Sequence, residues 1–291
     1  MKRLFIFSMA FNLILAEEKA DSLGNKLPLK PTRNVAFTTS EGTWMSLDVS
    51  SDGKTIIFDL LGDLYTLPFR GGDAQQLTFG IAFDSQPVYS PNAQMIAFVS
   101  DRGGSENLWI ANSDGSQPKQ LSKSKDHQFA SPVFSHDGNY VYVSQTSWGQ
   151  RTFEIWMYHI KGGTGIQITK SKPKPDTPGN QRHNAMGVSI YPDGKYIFYA
   201  RRIGGFSYNA NFPMWQIARR DMVTGDEDVI TRAEGSGIKP KVSPDGKFLI
   251  YGTRYQTKTG LRIRNLETGD DEWLVYPVTR DDQESRFTRD L

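Results

Sequence analysis

The chain has 291 residues, of which 37% are hydrophobic and 12% aromatic, so it can bury a sizeable core, and these proportions exclude a disordered protein. Its 34 lysines and arginines nearly balance its 32 acidic residues, which excludes the strongly basic surface that a nucleic-acid partner requires. Cysteine is absent, so the core must stabilise the fold without disulfide bonds.

Residues 1–16 have the pattern of a secretory signal peptide. A cationic head, Met1-Lys2-Arg3, precedes the apolar run 4–16, and the polar sequence resumes at Glu17. The run is too short to span a bilayer as a helix, and Ala16 offers a small residue for cleavage. The alternatives are a buried N-terminal helix and an uncleaved anchor. We predict a periplasmic or secreted protein that has no membrane span after cleavage.

Residues 17–40 form an N-terminal segment that precedes the first repeat. Within it, the run 34–38 (NVAFT) is typical of a short strand. Propellers often close by letting a strand from one terminus complete the blade at the other. We therefore expect that residues 34–38 could serve as a ring-closing strand.

One phrase then recurs five times, as VSSDGKTIIF, YSPNAQMIAF, FSHDGNYVYV, IYPDGKYIFY and VSPDGKFLIY, beginning at Val49, Tyr89, Phe134, Ile190 and Val242. The intervals of 40, 45, 56 and 52 residues between the repeated Asp or Asn are those of propeller blades or of some helical arrays. In most copies Asp-Gly offers the positive φ of a tight turn, and alternating apolar residues follow it, so each phrase predicts a hairpin. An Asp that is repeated five times is expected to shape turns and to have no catalytic role.

A second hairpin follows every copy, as in NLWIANSDGSQPKQLS, and usually ends on Leu-Thr or Ile-Thr. Stripes at helical spacing are absent, which excludes the helical arrays. Four antiparallel strands per repeat predict an all-β fold, a β-propeller with five blades over residues 41–278. Residues 279–291 are expected to begin a further, truncated blade, so about five blades of a six- or seven-bladed ring are present.

The phrases SPDGK, SDRGG and LWIANSDGSQPKQLS resemble the TolB-like, WD-type β-propeller repeats of periplasmic proteins. Residues 41–72, 208–217 and 251–291 are similar to the N-terminal propeller of exported bacterial amidohydrolases, and the YPVTRDDQES stretch carries the most specific part of this resemblance. The resemblance covers residues 33–291. It implies a metal-dependent hydrolase barrel that follows the propeller.

The sequence departs from that family because it lacks the His-x-His metal motif of the barrel. Its four histidines are isolated, and neither a nucleophile elbow nor a phosphate-binding loop is present. We therefore expect no catalytic residue, metal or cofactor in this chain, and zinc only in the missing catalytic domain. Whether the full-length protein is an enzyme is left open.

Three functions remain open at this stage. The first is a noncatalytic propeller that binds or gates its own missing C-terminal catalytic domain. The second is a free-standing TolB-like module of the periplasm that binds a protein or peptide in its central funnel. The third is the propeller of an exported serine peptidase, which would also need a separate catalytic domain.

The long loops, which join second to third strands and one blade to the next, are expected to share one face of the propeller. Loops on a rigid scaffold are the usual place for binding, although each charge could instead be a solvated loop residue. His127 and His183 could bind a metal only if the fold brought them together. The candidate binding residues of this face are Arg102, His127, Trp148, Arg151, His183, Arg201, Arg202, Tyr208, Asn209, Arg254, Tyr255, Arg280, Asp281 and Asp282.

Overall fold

The computed structural model describes residues 33, 35–42, 45–147, 152–172, 174–206, 213–232, 234–255 and 258–278. Within these residues it contains twenty strands and one short 3-10 helix, Gly179–Gln181. The strands form five four-stranded antiparallel sheets, and the strands of each sheet follow one another in chain order. The predicted all-β architecture of four-stranded meanders is therefore confirmed.

The first compact unit contains the described residues up to Phe134, together with His159–Thr164. The first two sheets and one further strand lie in it. These strands are β1 Leu47–Val49, β2 Thr55–Leu60, β3 Asp63–Pro68, β4 Gln75–Gln76, β5 Asp84–Tyr89, β6 Met95–Ser100, β7 Asn107–Asn112, β8 Lys119–Gln120 and β9 His127–Phe134.

The second compact unit contains the described residues of Ser135–Tyr158 and of the chain from Gly165 onward. It includes the whole of the fourth and fifth sheets. The remaining strands of the chain are β10 Tyr140–Ser147, β11 Glu154–His159, β12 Ile166–Gln167, β13 His183–Ile190, β14 Tyr196–Ile203, β15 Gln216–Asp221, β16 Glu227–Val229, β17 Ile238–Val242, β18 Phe248–Tyr255, β19 Lys258–Asn265 and β20 Asp271–Val275.

The repeated phrase forms the turn between the first and second strands of a sheet. In the first copy, the Ser50 hydroxyl donates to Asp52 Oδ1 at 2.7 Å and accepts the Thr55 N–H at 3.0 Å. Asp52 Oδ1 also accepts the Lys54 N–H at 3.1 Å, and these contacts lower the pKa of Asp52. Gly53 has a φ of 71°, so the predicted left-handed turn residue is confirmed. The same serine contacts recur in the other copies at Ser90, Ser135 and Ser243.

Two copies of this turn depart from the pattern. Ala93 replaces the glycine and adopts the same conformation at a φ of 54°. Tyr191 replaces the serine, and there the Asp193 carboxylate still accepts the Lys195 N–H at 2.8 Å. The repeated acid therefore shapes the turn, as predicted.

The Thr or Ser that ends four of the five repeats also has a structural role. The buried Thr78 hydroxyl accepts the backbone N–H of Leu64, the second residue of β3, at 2.9 Å. Strand β4 has only two residues and pairs with Tyr65 and Thr66, so it does not extend far enough to pair with the N–H of Leu64. The threonine hydroxyl supplies the acceptor that a longer strand would provide. The same bond joins Ser122 to Leu108, Thr169 to Ile155 and Thr231 to Ile217.

The core consists of apolar clusters between successive sheets. In the first unit, Ile57 and Leu64 of the first sheet pack with Ile96, Phe98 and Trp109 of the second. In the second unit, the cluster combines the fourth and fifth sheets and contains Phe198, Ala200, Trp215, Ile217, Leu249 and Tyr251. Burial of these side chains is the dominant favourable contribution to folding.

Polar side chains connect neighbouring sheets at bulges in the first strand. Gln86 lies at the bulge of β5 with a φ of 54°, and its N–H donates to Asp59 Oδ2 at 2.6 Å. Gln86 Oε1 in turn accepts the N–H of Ser131 at 2.7 Å. In the second unit, the Ser144 hydroxyl accepts the N–H of Gly187, which lies at the bulge of β13, at 2.9 Å.

Asp59 and Ser144 occupy the same repeat position, nine residues after the turn serine, and Val99 occupies it in the second sheet. Valine has no hydrogen-bond acceptor in its side chain. The Gln86 side chain therefore supplies the acceptor that the second sheet lacks at this position.

The described part of the N-terminal segment has no regular secondary structure. Residues 35–39 are not in a strand, and the first strand begins at Leu47. No helix in the described part of the chain has the length and hydropathy needed to cross a bilayer.

Candidate functional site

The structure places Arg102 inside the first unit, away from solvent. Its guanidinium pairs with Asp84 on β5 and lies 5.1 Å from the ring centroid of Phe98 and 5.5 Å from that of Trp109. Both partners of the ion pair are at most 2% exposed. The loop position of Arg102 in the sequence predicts an exposed charge, but this charge neutralises a buried carboxylate.

Arg202 and Arg254 are also buried. Arg202 donates from Nε to the carbonyl oxygen of Pro213 at 2.8 Å and from Nη1 to that of Gly205. Its side chain thereby holds both of these loop residues beside β14. The sequence places both arginines beside long loops, where an exposed charge is expected. The structure instead buries both side chains.

His127 lies at the start of β9 and is partly exposed. Its Nδ1 contacts the Ser124 hydroxyl and lies 3.2 Å from Asp126 Oδ1. Its ring lies against that of Phe129, with centroids 6.3 Å apart. Among the residues that the structure describes, no group of three His, Asp or Glu side chains is placed to hold a metal ion.

Several of the candidate residues lie partly or wholly outside the described part of the chain. Tyr255 ends β18, but its side chain is outside the description. The candidates that lie outside the described residues altogether are Trp148, Arg151, Tyr208, Asn209, Arg280, Asp281 and Asp282.

Two predicted residues, His183 and Arg201, meet at a cavity of about 350 Å³ in the second unit. The cavity lies over one face of the fourth sheet, beside the residues that follow β12. Its lining consists of Ile168, Thr169, Lys170, His183, Asn184, Ala185, Tyr199, Arg201, Arg220 and Glu227. We call it the charged cavity.

Glu227 is the centre of the polar network in the charged cavity. Its Oε1 lies 2.9 Å from Arg201 Nε, and its Oε2 lies 3.9 Å from Arg220 Nη1. The Tyr199 hydroxyl donates to Glu227, and Arg201 Nη2 lies 3.4 Å from His183 Nδ1. Each of the three ionic side chains is about one quarter exposed, so water screens these pairs only in part.

The register of the fourth sheet shows which positions make this face polar. One position of the third strand can be compared across all five sheets, because its residue pairs with the fourth-strand residue that follows it by eleven positions in the chain. It is Tyr65, Trp109, Trp156, Ala218 and Arg262 in the five sheets. Ala218 is the only small residue among them. Its neighbour Arg220 occupies the position that Ala111 has in the second sheet, where the face is apolar.

The charged cavity carries more positive than negative charge. Lys170, Arg201 and Arg220 are opposed only by Glu227 among the lining side chains. Burial and the charge of Arg201 lower the pKa of His183, which keeps its imidazole neutral at pH 7. Burial and the neighbouring Glu227 raise the pKa of Tyr199, so its hydroxyl stays protonated as a donor.

A second group of charges surrounds Asp84 in the first unit. Asp84 Oδ1 is buried and has no hydrogen-bond partner among the described residues. Burial, followed by repulsion from Asp84, raises the pKa of Asp63 to about 7, while Gln76 and Arg102 act in the opposite direction. Asp63 is therefore partly protonated near neutral pH.

A family model, curated relatives and solved structures all relate this chain to TolB propellers. Residues 29–207 match the family model described as the TolB beta propeller domain. The chain is 29% identical over 182 residues to the Tol-Pal system protein TolB of Helicobacter hepaticus, which covers 60% of this chain and 42% of that protein. It is 24% identical over 183 residues to the uncharacterized peptidase YuxL of Bacillus subtilis, covering 62% of this chain and 23% of that protein.

Among solved structures, TolB from Acinetobacter baumannii superposes with a TM-score of 0.59 at 18% identity, over 78% of this chain and 53% of that chain. This likeness shows the fold. The chain spans about two fifths of the length of the curated TolB relatives that it matches.

Proposed function

The chain belongs to the TolB β-propeller domain family, and on this basis we propose that it is a noncatalytic binding module of the bacterial cell envelope. The observation that carries the proposal is the match to the TolB propeller domain over residues 29–207. Relatives of this chain are named as proteins of the Tol-Pal system, and by analogy we assign it a protein or peptide partner. The signal-like residues 1–16 support export to the periplasm.

The hydrogen bonds of the repeats support a scaffold role. The repeated Ser and Asp residues hold turns, and the repeat-ending Thr and Ser residues satisfy strand N–H groups. The buried charge of Arg102 is paired with Asp84. These polar side chains stabilise the turns and strands of the sheets, and loops on such a scaffold are the usual place for binding.

A second candidate function is a propeller that gates a hydrolase domain of the same protein. The match to the peptidase YuxL favours it, because the matched region is only 23% of that protein. The similarity of residues 41–72, 208–217 and 251–291 to the propellers of exported amidohydrolases also favours it. If the propeller gates a hydrolase domain, zinc is expected in that domain. The five sheets would then be part of a six- or seven-bladed ring.

Binding measurements distinguish the two functions. The purified chain would be titrated by calorimetry with purified proteins of the Tol-Pal system from the same organism. We expect a dissociation constant of about 1 μM or tighter with one of them, equivalent to roughly 8 kcal/mol of binding free energy. No binding to any of them would contradict the first function.

The gene sequence beyond Leu291 and an activity assay test the second function. A hydrolase domain with a His-x-His motif after the propeller would support it, and an interaction between the separately purified domains would confirm it. We expect this chain alone to hydrolyse no amide or ester substrate, with or without added zinc. Turnover that depends on His127 or His183 would contradict both functions.

A further inference from the structure

We propose that the charged cavity binds a small organic anion through a carboxylate or phosphate group. This inference goes beyond the binding of a macromolecular partner, and it does not depend on that function. It rests on the volume of the cavity, on the excess of cations in its lining and on a comparison with the fifth sheet.

The volume favours a small ligand. Ligand pockets usually have volumes of about 300–1,000 Å³, and the charged cavity, at about 350 Å³, lies at the lower end of that range. A cavity of this size accommodates a small acid or phosphate compound. It does not accommodate a folded partner.

The donors of the cavity exceed what Glu227 can accept. A guanidinium carries several N–H donors in a fixed plane, and two guanidiniums share the two oxygens of this carboxylate. Lys170 contributes an exposed ammonium at the rim. Arginine side chains at this density recognise carboxylate and phosphate oxygens with charge-assisted hydrogen bonds.

The fifth sheet shows which part of the network is structural. There, the Tyr251 hydroxyl donates to Asp271 Oδ2 at 2.6 Å, and Arg264 Nη1 lies 3.6 Å from the same oxygen. Tyr199, Glu227 and Arg220 repeat this arrangement in the fourth sheet. The tyrosine, the acid and this arginine therefore stabilise both sheets.

The two sheets differ in the source of the second guanidinium. In the fifth sheet it is Arg262 of the third strand, whose Nε lies 2.6 Å from Asp271 Oδ1, and in the fourth sheet it is Arg201 of the second strand. Arg201 stands two residues after Tyr199, at the position that the buried Thr253 occupies after Tyr251. Arg201 brings His183 into the network, and Ala218 replaces the large side chain of Arg262. The second guanidinium of the fourth sheet therefore lines the cavity beside His183 and Lys170, where it can reach an anion.

Calorimetry at low ionic strength tests the proposal, with citrate and inorganic phosphate as separate probes. Because surface electrostatics weaken with salt, binding should also weaken as salt is added. We expect a dissociation constant below about 1 mM for at least one probe, which is roughly 4 kcal/mol of binding free energy. The preferred probe identifies the anionic group.

Four variants localise the binding. Arg201→Gln is expected to weaken it by at least tenfold, and Lys170→Gln, which removes an exposed charge and leaves the core intact, by about two- to fivefold. Arg264→Gln and Lys172→Gln remove equivalent charges outside the cavity and should leave the affinity unchanged. Absence of binding for both probes, or an equal loss in the control variants, would overturn the proposal.

Discussion

The hydroxyl of Thr231 provides the sharpest test of how the repeats are stabilised. Thr231 is fully buried, accepts the N–H of Ile217 at 2.8 Å and donates to Gln216 Oε1 at 2.8 Å. Thr231→Val keeps the shape of the side chain and removes both bonds. A buried polar group without a partner costs about 1–3 kcal/mol, so we expect a loss of about 2–4 kcal/mol in the free energy of unfolding.

Thermal and urea denaturation measure this loss. For proteins of roughly this size, each kcal/mol lowers Tm by about 2–4 °C, so we expect Tm to fall by about 4–16 °C. The matched control is Thr224→Val, which removes an exposed hydroxyl bond to Asp226 and should change stability by less than about 1 kcal/mol. If the two variants melted at the same temperature, the role assigned to the repeat-ending residue would be wrong.

Further predictions concern the buried charges and export. Arg102→Ala should cost about 3–5 kcal/mol because it leaves Asp84 buried without its partner, and adding Asp84→Leu should recover much of the loss in urea denaturation. Asp63 has a pKa raised to about 7 from its usual 3.8, so the folded state retains a proton that the unfolded state releases, and stability should decrease as pH rises from about 4 to 7. Asp63→Asn should reduce this decrease in melting curves, and an unchanged pH profile would contradict the assignment. N-terminal sequencing of the exported protein should begin near Glu17, whereas recovery of Met1 on most molecules would indicate an anchor.

The repeated turns could be predicted from the sequence because their chemistry is local. Each repeated phrase has ten residues and contains the Asp, the Gly and the residues of the strands on either side. The residue types in this short stretch predict the hairpin and the positive φ of Gly53. The contribution of the serine was not recognised, although Ser50 recurs as Ser90, Ser135 and Ser243. A recurring polar residue two positions before a turn acid is the signal that would have indicated it.

Residues that act through distant partners could not be predicted in the same way. Arg102 lies in a turn and has the sequence context of an exposed loop, and its partner Asp84 precedes it by 18 residues, at the start of β5. The charged cavity combines segments from residue 168 to residue 227. Its sequence signal is the third-strand phrase QIARRD, which has alanine where NLWIAN and EIWMYH have tryptophan.

The bulge contacts between sheets also couple the stability of one repeat to that of the next. Asp59 holds the N–H of Gln86, and the Gln86 side chain holds the N–H of Ser131. The second repeat therefore carries an acceptor that compensates for its own Val99, and the first repeat does not need one. Each of these two repeats therefore satisfies a backbone N–H of the sheet that follows it, so loss of either acceptor would destabilise the neighbouring sheet as well as its own.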